Sequence, residues 1–190
     1  TNALGTDLTV ELPEGHFWAG GAEKCVTSGV LFSANIPSEE VFTLPVKTGV
    51  NGIVYASKPL SLHGNLIEDF GFELQAGKIV RAFAKTGEEV LKKAIAVDEG
   101  ASYLGVVALV PYDSPISNSG ILFYNTLFDE NAACHFAFGE AYPCITGAEQ
   151  MSREELAARG MNDSMTHVDF MVGTEDLQIT GVTKAGGEVA

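Results

Sequence analysis

The sequence has 190 residues, of which 46% are hydrophobic and 19% are charged, so it suits one globular domain or at most two small ones. Its 11 Lys and Arg residues stand against 25 Asp and Glu residues, which gives a formal net charge of −14. So acidic a surface repels phosphate backbones and argues against nucleic-acid binding.

No targeting or membrane segment is predicted. Residues 1–6 lack the basic and apolar regions of a signal peptide. No apolar run approaches the roughly 18 residues that a membrane span needs. Cys25, Cys134 and Cys144 form no CxxC pair and are expected to remain free thiols. We therefore expect a cytoplasmic protein that does not associate with membranes.

The first half of the chain predicts short strands separated by turns. Leu8, Val10 and Leu12 alternate on one face before Pro13 ends the run. Residues 35–38 are expected to form a turn or the start of a strand. Further strands are expected over residues 51–57, 60–63, 66–74 and 78–84, the last two joined by a short hairpin connection over residues 75–77.

Two segments carry the pattern of a helix start. Thr86 and Glu89 have the spacing of a capping box, and an apolar stripe of helical period follows them. Ser152 and Glu155 form a second capping box, and Gly160 can end that helix in the left-handed conformation.

The remaining elements complete an irregular mixture. A third helix is expected to begin near residues 129–131 and to run through residue 138. Residues 103–110 and 167–172 are expected to be strands, and residues 177–182 to belong to a terminal hairpin. Because strands and helices do not alternate regularly, the predicted class is α+β, with a mixed, largely antiparallel sheet and a few flanking helices.

The sequence contains no phosphate-binding loop, no dinucleotide fingerprint, no nucleophilic-serine motif and no HExxH. The sharpest local pattern is His167-Val168-Asp169, because residues i and i+2 of a strand point to the same face. His167 and Asp169 would then present a nitrogen and a carboxylate side by side. Two interpretations remain open, a metal-binding pair or the solvent-facing polar side of an edge strand.

Other candidate residues have weaker patterns. His135 follows Cys134, but adjacent residues of a helix point about 100° apart, which argues against a catalytic thiol–imidazole pair. Taken alone, His135 fits a hydrogen-bonded core histidine. Glu39 and Glu40 fit solvated carboxylates at a strand start. Asp98 is disfavoured by the dipole of the helix it is expected to end, and the sequence offers no specific constraint that explains it.

Four long segments carry a resemblance to a known family. They span residues 35–43, 98–105, 122–135 and 160–173. They resemble the thermophilic metalloaminopeptidase family that includes aminopeptidase T, aminopeptidase S and PepS. Family members are considerably longer, so the resemblance implies one catalytic domain over residues 1–190, matching the C-terminal portion of a two-domain chain. It also implies peptide substrates and a homodimer.

The resemblance implies a dinuclear site that holds two divalent ions, with zinc, cobalt or manganese as the candidates. The ligands it implies are Glu40, His135, His167 and Asp169. It matches Tyr142 to a tyrosine beside the metals, whose hydroxyl would donate to the oxyanion. It matches Glu130 to an acidic residue that orients either a ligand or the substrate amine. An exchange of roles between Glu39 and Glu40 remains open.

One position departs from the family pattern. The family segment reads Leu-Gly-Glu-Val-Ala-Leu-Val, whereas residues 104–110 place Val106 where the family has glutamate. Valine can neither coordinate an ion nor take a proton, so we expect one weakened metal site and impaired catalysis. The alternatives are a non-catalytic pseudoenzyme that keeps the fold for binding or dimerisation, and an unrelated small α+β binding protein.

Overall fold

A computed structural model describes residues 1–33 and 39–189. The expected turn over residues 35–38 lies outside this described part. The strands are β1 (Asp7–Val10), β2 (Ala19–Gly20), β3 (Glu23–Lys24), β4 (Leu31–Phe32), β5 (Val41–Thr43), β6 (Val50–Tyr55), β7 (Leu60–Leu62), β8 (Asn65–Gln75), β9 (Lys78–Thr86), β10 (Leu104–Leu109), β11 (His135–Gly139), β12 (His167–Met171), β13 (Gly181–Val182) and β14 (Glu188–Val189). The helices are α1 (Glu88–Ala94), α2 (Pro115–Ser119), α3 (Thr126–Asp129) and α4 (Arg153–Ala158), with short 3-10 helices at Gly100–Ser102, Glu130–Ala132 and Ala148–Gln150.

Two five-stranded sheets form the body of the molecule. The first has the order β1-β6-β8-β7, with β9 also paired to β8, and the second has the order β12-β11-β10-β5-β2. Two small hairpins, β3–β4 and β13–β14, stand apart from both sheets. Every strand pairing within the described residues is antiparallel, and the helices are short. The predicted α+β class is therefore confirmed.

The core lies between the two sheets and is rich in phenylalanine. Phe72 on β8 is fully buried, and its ring centroid lies 5.0 Å from that of Phe170 on β12 and 5.8 Å from that of Phe138 on β11. Phe70 joins the same cluster, 6.0 Å from Phe170. Truncating a buried phenylalanine of this kind to alanine typically costs about 3–5 kcal/mol. These contacts hold one face of the second sheet against the first and leave its other face available for a site.

Local patterns predicted several elements correctly. The β8–β9 connection turns at Ala76 and Gly77, whose φ angles of 47° and 79° are those a two-residue hairpin requires. Ser152 and Glu155 form the predicted capping box of α4, and Gly160 follows the helix with φ 96°. No helix in the described part of the chain is long and apolar enough to cross a membrane.

Helix α1 forms where the first helix was expected, but two details of the predicted helices were wrong. The capping box expected at residues 86–89 does not form, because Gly87 is the N-cap of α1 and the Glu88 carboxylate instead accepts the amide of Ala84. The helix expected to run to residue 138 ends at Asp129, and His135–Gly139 is strand β11. This strand pairs with β10 on one side and β12 on the other, so the segment is held by cross-strand hydrogen bonds and not by helical ones.

Candidate metal centre

The candidate site lies on the face of the second sheet that points away from the phenylalanine core. Successive residues of a strand point to opposite faces, so Phe136 and Phe138 of β11 enter the core while His135 and Ala137 point away from it. Since β11 is a strand rather than a helix, Cys134 and His135 also face opposite ways. The conclusion that they cannot act as a pair therefore holds, for a different geometric reason.

Cross-strand register places the polar residues of β12 on the same face. Ala137 pairs with Asp169, and Gly139 pairs with His167. Asp169 is only 8% exposed, so although β12 is an edge strand the HxD pair is not a solvated polar side. Glu40 directly precedes β5, two strands away from β11 in the same sheet.

The side chains from these strands converge. The Nε2 atom of His135 lies 3.5 Å from Oε1 of Glu40 and 3.9 Å from Oδ1 of Asp169. The Nε2 atom of His167 lies 3.4 Å from the same Asp169 oxygen. Of the two adjacent glutamates, Glu40 makes the contact with His135, whereas Glu39 is exposed. Four residues that are as far apart in the sequence as Glu40 and Asp169 thus form one cluster.

Both imidazoles are oriented by main-chain carbonyls. His135 Nδ1 lies 3.0 Å from the carbonyl oxygen of Ala133, and His167 Nδ1 lies 2.8 Å from that of Glu140. A carbonyl oxygen can only accept, so each Nδ1 must carry the proton. Each Nε2 is left facing the carboxylates, and this is the tautomer in which histidine binds a metal through Nε2.

Without a cation, the carboxylates favour the protonated form of both imidazoles. Burial disfavours the charged form of His135, but the hydrogen bond that the imidazole donates to the Glu40 carboxylate and the charge of Asp169 outweigh burial and raise its pKa. The same balance, with Asp169 as the hydrogen-bond partner, raises the pKa of His167. A divalent ion would reverse this preference, because it competes with the proton for Nε2.

Glu130 adds a third carboxylate to the cluster. It begins the 3-10 turn that follows α3, and one potential ligand atom from each of Glu130, His135 and Asp169 lies within 4.8 Å of the others. All three residues are buried. Burial and the charges of Asp169 and Glu40 raise the pKa of Glu130 to about 7. The family resemblance implies an acidic residue near the site at this position, and its role, orienting either a ligand or the substrate amine, stays open.

Tyr142 stands at the exposed side of the cluster. Its ring centroid lies 5.0 Å from that of His167 and 5.7 Å from that of Phe42. Burial and the nearby charges of Asp169 and Glu130 raise the pKa of the phenol, so its hydroxyl keeps its proton at neutral pH. The side chain nevertheless remains 48% exposed, which leaves it accessible to a bound molecule.

Val106 lies on the same sheet face as the cluster. It pairs with Ala137, which in turn pairs with Asp169, so the three residues form one cross-strand row. Val106 is 3% exposed and packs with Ala108, Ala137 and Phe42. A glutamate at this position would direct a carboxylate onto the face that carries His135 and Asp169, whereas valine presents only methyl groups there.

One contact at the site had no signal in the sequence. Glu140 orients His167 through its main-chain oxygen, and its carboxylate accepts the amide of Ser164. A main-chain acceptor imposes no side-chain preference, so no residue pattern could have indicated it.

A buried group of imidazoles and carboxylates, in which the Nε2 atoms face carboxylates and not main-chain groups, is the donor set of a zinc-like divalent cation, so the fold and the site define a candidate metalloenzyme. The sequence model of the thermophilic metalloprotease (M29) family matches residues 1–190, and the chain belongs to that family. The resemblance read from the sequence is thereby confirmed.

Individual relatives agree with this assignment. Aminopeptidase AmpS of Bacillus subtilis (strain 168) is 58% identical over 185 residues, which cover 97% of this chain and 45% of that protein. Aminopeptidase T of Thermus aquaticus is 50% identical over 189 residues, covering 97% and 45%. The structure of wild-type AmpT from Thermus thermophilus matches with a TM-score of 0.90 at 45% identity, covering 100% of this chain and 46% of that one. The chain thus spans less than half the length of these relatives.

Proposed function

We propose that this chain is the catalytic domain of a dinuclear metalloaminopeptidase that releases N-terminal amino acids from peptides, and that Val106 impairs its catalysis. The observation that carries the proposal is the convergence of His135, His167 and Asp169, with Glu40 and Glu130, on one buried sheet face. Membership of a metalloprotease family whose relatives are named aminopeptidases supports it.

We assign Glu40, His135, His167 and Asp169 as the ligands of zinc, cobalt or manganese. Hard carboxylates and neutral imidazoles suit these ions. The fit rests on two features: both Nε2 atoms are free of main-chain partners, and the Asp169 carboxylate lies within 3.9 Å of both of them. A bound divalent ion would polarise the scissile carbonyl and acidify water.

The remaining side chains supply binding and proton transfer. The protonated hydroxyl of Tyr142 donates a hydrogen bond to the oxyanion that develops on the carbonyl. Glu130, with a pKa of about 7, can hold or release a proton near neutral pH. Glu130 is the carboxylate of the cluster that lies outside the proposed ligand set, so it can hold the cationic α-amine of a peptide, which favours cleavage at the N-terminus.

Val106 removes one carboxylate from this arrangement. A bridging carboxylate places negative charge between two cations, and without it their repulsion is uncompensated, so one ion should bind weakly. If the missing group instead serves as general base, its loss costs about 10²–10⁴-fold in rate. In both cases we expect the chain with Val106 to have much lower peptidase activity than one with glutamate at this position.

The test restores the carboxylate with Val106→Glu. Its matched control is Val106→Gln, because glutamine has nearly the shape of glutamate but carries no negative charge. We expect Leu-p-nitroanilide hydrolysis to rise about 10²–10⁴-fold in Val106→Glu only. N-acetyl-Leu-p-nitroanilide should remain uncleaved, because its amine is blocked. Equal rates for the two variants would contradict the impairment by Val106, and cleavage of the blocked substrate would contradict the aminopeptidase assignment.

A second candidate function is a non-catalytic module that keeps the fold for binding or dimerisation. The apolar Val106–Ala137 contact in the site favours it. Elemental analysis of Val106→Glu separates the two functions, because about two ions per chain in that variant favour the enzyme and about one or none favours the module.

We propose cytoplasmic peptides as substrates and a homodimer as the assembly. The hairpin β3–β4 exposes Val26 fully and Leu31 by 67%, an apolar surface that association would cover. Light scattering tests the assembly, and a monomer at micromolar concentration would contradict the dimer.

The three cysteines are free thiols, as expected for a reducing compartment.

A further inference from the structure

The connection that leads into β12 is held from one side by Glu140. The main-chain nitrogen of Glu140 donates to the carbonyl oxygen of Thr166 at 2.7 Å, and its carboxylate accepts the amide of Ser164 at 2.5 Å. Its carbonyl oxygen accepts Nδ1 of His167 at 2.8 Å. Glu140 therefore makes two hydrogen bonds to the connection and a third to the imidazole of His167, the residue that follows it.

Asp98 holds the same connection from the other side. Its Oδ1 accepts the hydroxyl of Ser164 at 2.8 Å, and its Oδ2 accepts the amide of Met165 at 2.6 Å. Its Oδ1 also accepts the amide of Ala101 at 2.8 Å. The amide of Met165, the hydroxyl of Ser164 and the amide of Ala101 favour the charged form and lower the pKa of Asp98.

These contacts explain why an acidic residue occupies this position. Asp98 lies beyond the end of α1, so it does not oppose the dipole of a final helical turn. The bond to Ala101 is local and would suit any turn-forming aspartate. The bonds to Ser164 and Met165 instead cross 66 and 67 residues of sequence. They connect the segment before β10 to the segment before β12.

The position of His167 at the start of an edge strand makes it dependent on the connection that precedes it. His167 is the first residue of β12, an edge strand whose only partner, within the described part of the chain, is β11. Its main-chain position therefore depends on the connection over residues 163–166 as much as on the sheet. A ligand histidine needs a fixed ring orientation, and outer contacts typically change metal affinity by about 10–100-fold.

We propose that Asp98 is a positioning residue that fixes His167 for metal binding by anchoring Ser164 and Met165. It acts through the connection and does not touch the ion or the substrate. The metal-binding role of His167 rests on the proposed function, whereas the orientation of its ring can be measured without any metal.

The first experiment measures that orientation in the purified, metal-free protein with ¹⁵N-labelled histidine, at an alkaline pH where both imidazoles are neutral and each ring has one protonated nitrogen. Asp98→Asn keeps the size of the side chain, but its amide nitrogen cannot accept a hydrogen bond. We expect the Nδ1-protonated tautomer of His167 to become mixed in Asp98→Asn, while that of His135 remains as in the parent. The matched control is Asp163→Asn, which removes an exposed carboxylate of the same connection whose only ion pair, among the described residues, is with Arg153.

The second experiment titrates the protein with Co²⁺ and follows its visible absorbance. We expect affinity to fall about 10–100-fold in Asp98→Asn and to stay at the parent value in Asp163→Asn. Ser164→Ala, which removes the hydroxyl but keeps the Met165 contact, should be intermediate and serves if Asp98→Asn does not fold.

The outcomes separate positioning from a purely structural role. A lower melting temperature with an unchanged His167 tautomer and unchanged Co²⁺ affinity would overturn the proposal. If the parent protein binds no Co²⁺, the proposed function fails, while the tautomer measurement still decides whether Asp98 orients His167.

Discussion

The Nε2 atom of His167 lies 3.4 Å from Oδ1 of Asp169, on one face of β12. The two residues are separated by Val168, which is buried on the opposite face against the core. This spacing places a nitrogen and an oxygen side by side on one face of an edge strand whose other face packs on the first sheet.

Removing the imidazole should therefore empty the site. We expect His167→Ala to weaken Zn²⁺ or Co²⁺ binding by more than about 100-fold, since even outer contacts cost about 10–100-fold. Metal content after dialysis against a weak chelator measures the effect. His63→Asn is the control, because His63 is exposed in a turn with φ 49°, a conformation that asparagine tolerates. Equal metal content in both variants would refute the ligand assignment.

The metal-free protein should lose stability as pH rises. The folded pKa of Glu130 is raised from 4.5 to about 7, so its contribution is fully present below pH 4.5 and is lost as pH rises through about 7. The pKa values of His135 and His167 are raised above 6.5, so their contributions are present below pH 6.5 and are lost at higher pH.

Melting temperatures in the presence of a chelator, measured from about pH 5 to about pH 8, test this sign. Glu130→Gln cannot titrate, so we expect the parent to lose stability relative to Glu130→Gln as pH rises. Glu154→Gln, at an exposed position of α4, is the control and should follow the parent. A parent that gains stability relative to Glu130→Gln over this range would show that the direction is wrong.

The close approach of β12 to β11 depends on Gly139. Its φ is 103°, and an added Cβ would lie 2.0 Å from the carbonyl oxygen of Thr166. We expect Gly139→Ala to destabilise the fold by about 3 kcal/mol or more, because a strained backbone and a collision act together. It should also weaken metal binding, since Gly139 is the register partner of His167.

Urea denaturation of Gly139→Ala measures this loss. Gly64→Ala is the matched control, because Gly64 has φ 78° but nothing within 4 Å of an added Cβ. It should cost only about 1 kcal/mol from the left-handed backbone. Similar losses in the two variants would show that the Thr166 contact is unimportant.

Sequence patterns located some of the site and missed other parts for identifiable reasons. The two-residue alternation of side chains along a strand predicted that His167 and Asp169 share one face, and the structure has them there. His135 was assigned to a helix, although Phe136 and Phe138 alternate with small residues and could have indicated a strand. No pattern could relate Asp98 to Ser164, because that hydrogen bond joins segments 66 residues apart.

By itself, the sequence determined what local hydrogen bonding and alternation control: the hairpin turn at Ala76-Gly77, the capping box of α4 and the HxD pair, as well as the valine at position 106. Only the tertiary structure decided that Glu40, Glu130 and His135 meet that pair and that Val106 lies in the same cross-strand row as Asp169. The physical reason is that neighbours within a strand follow from spacing in the chain. Neighbours across a sheet follow from strand order and register, which are set by how the phenylalanine core packs.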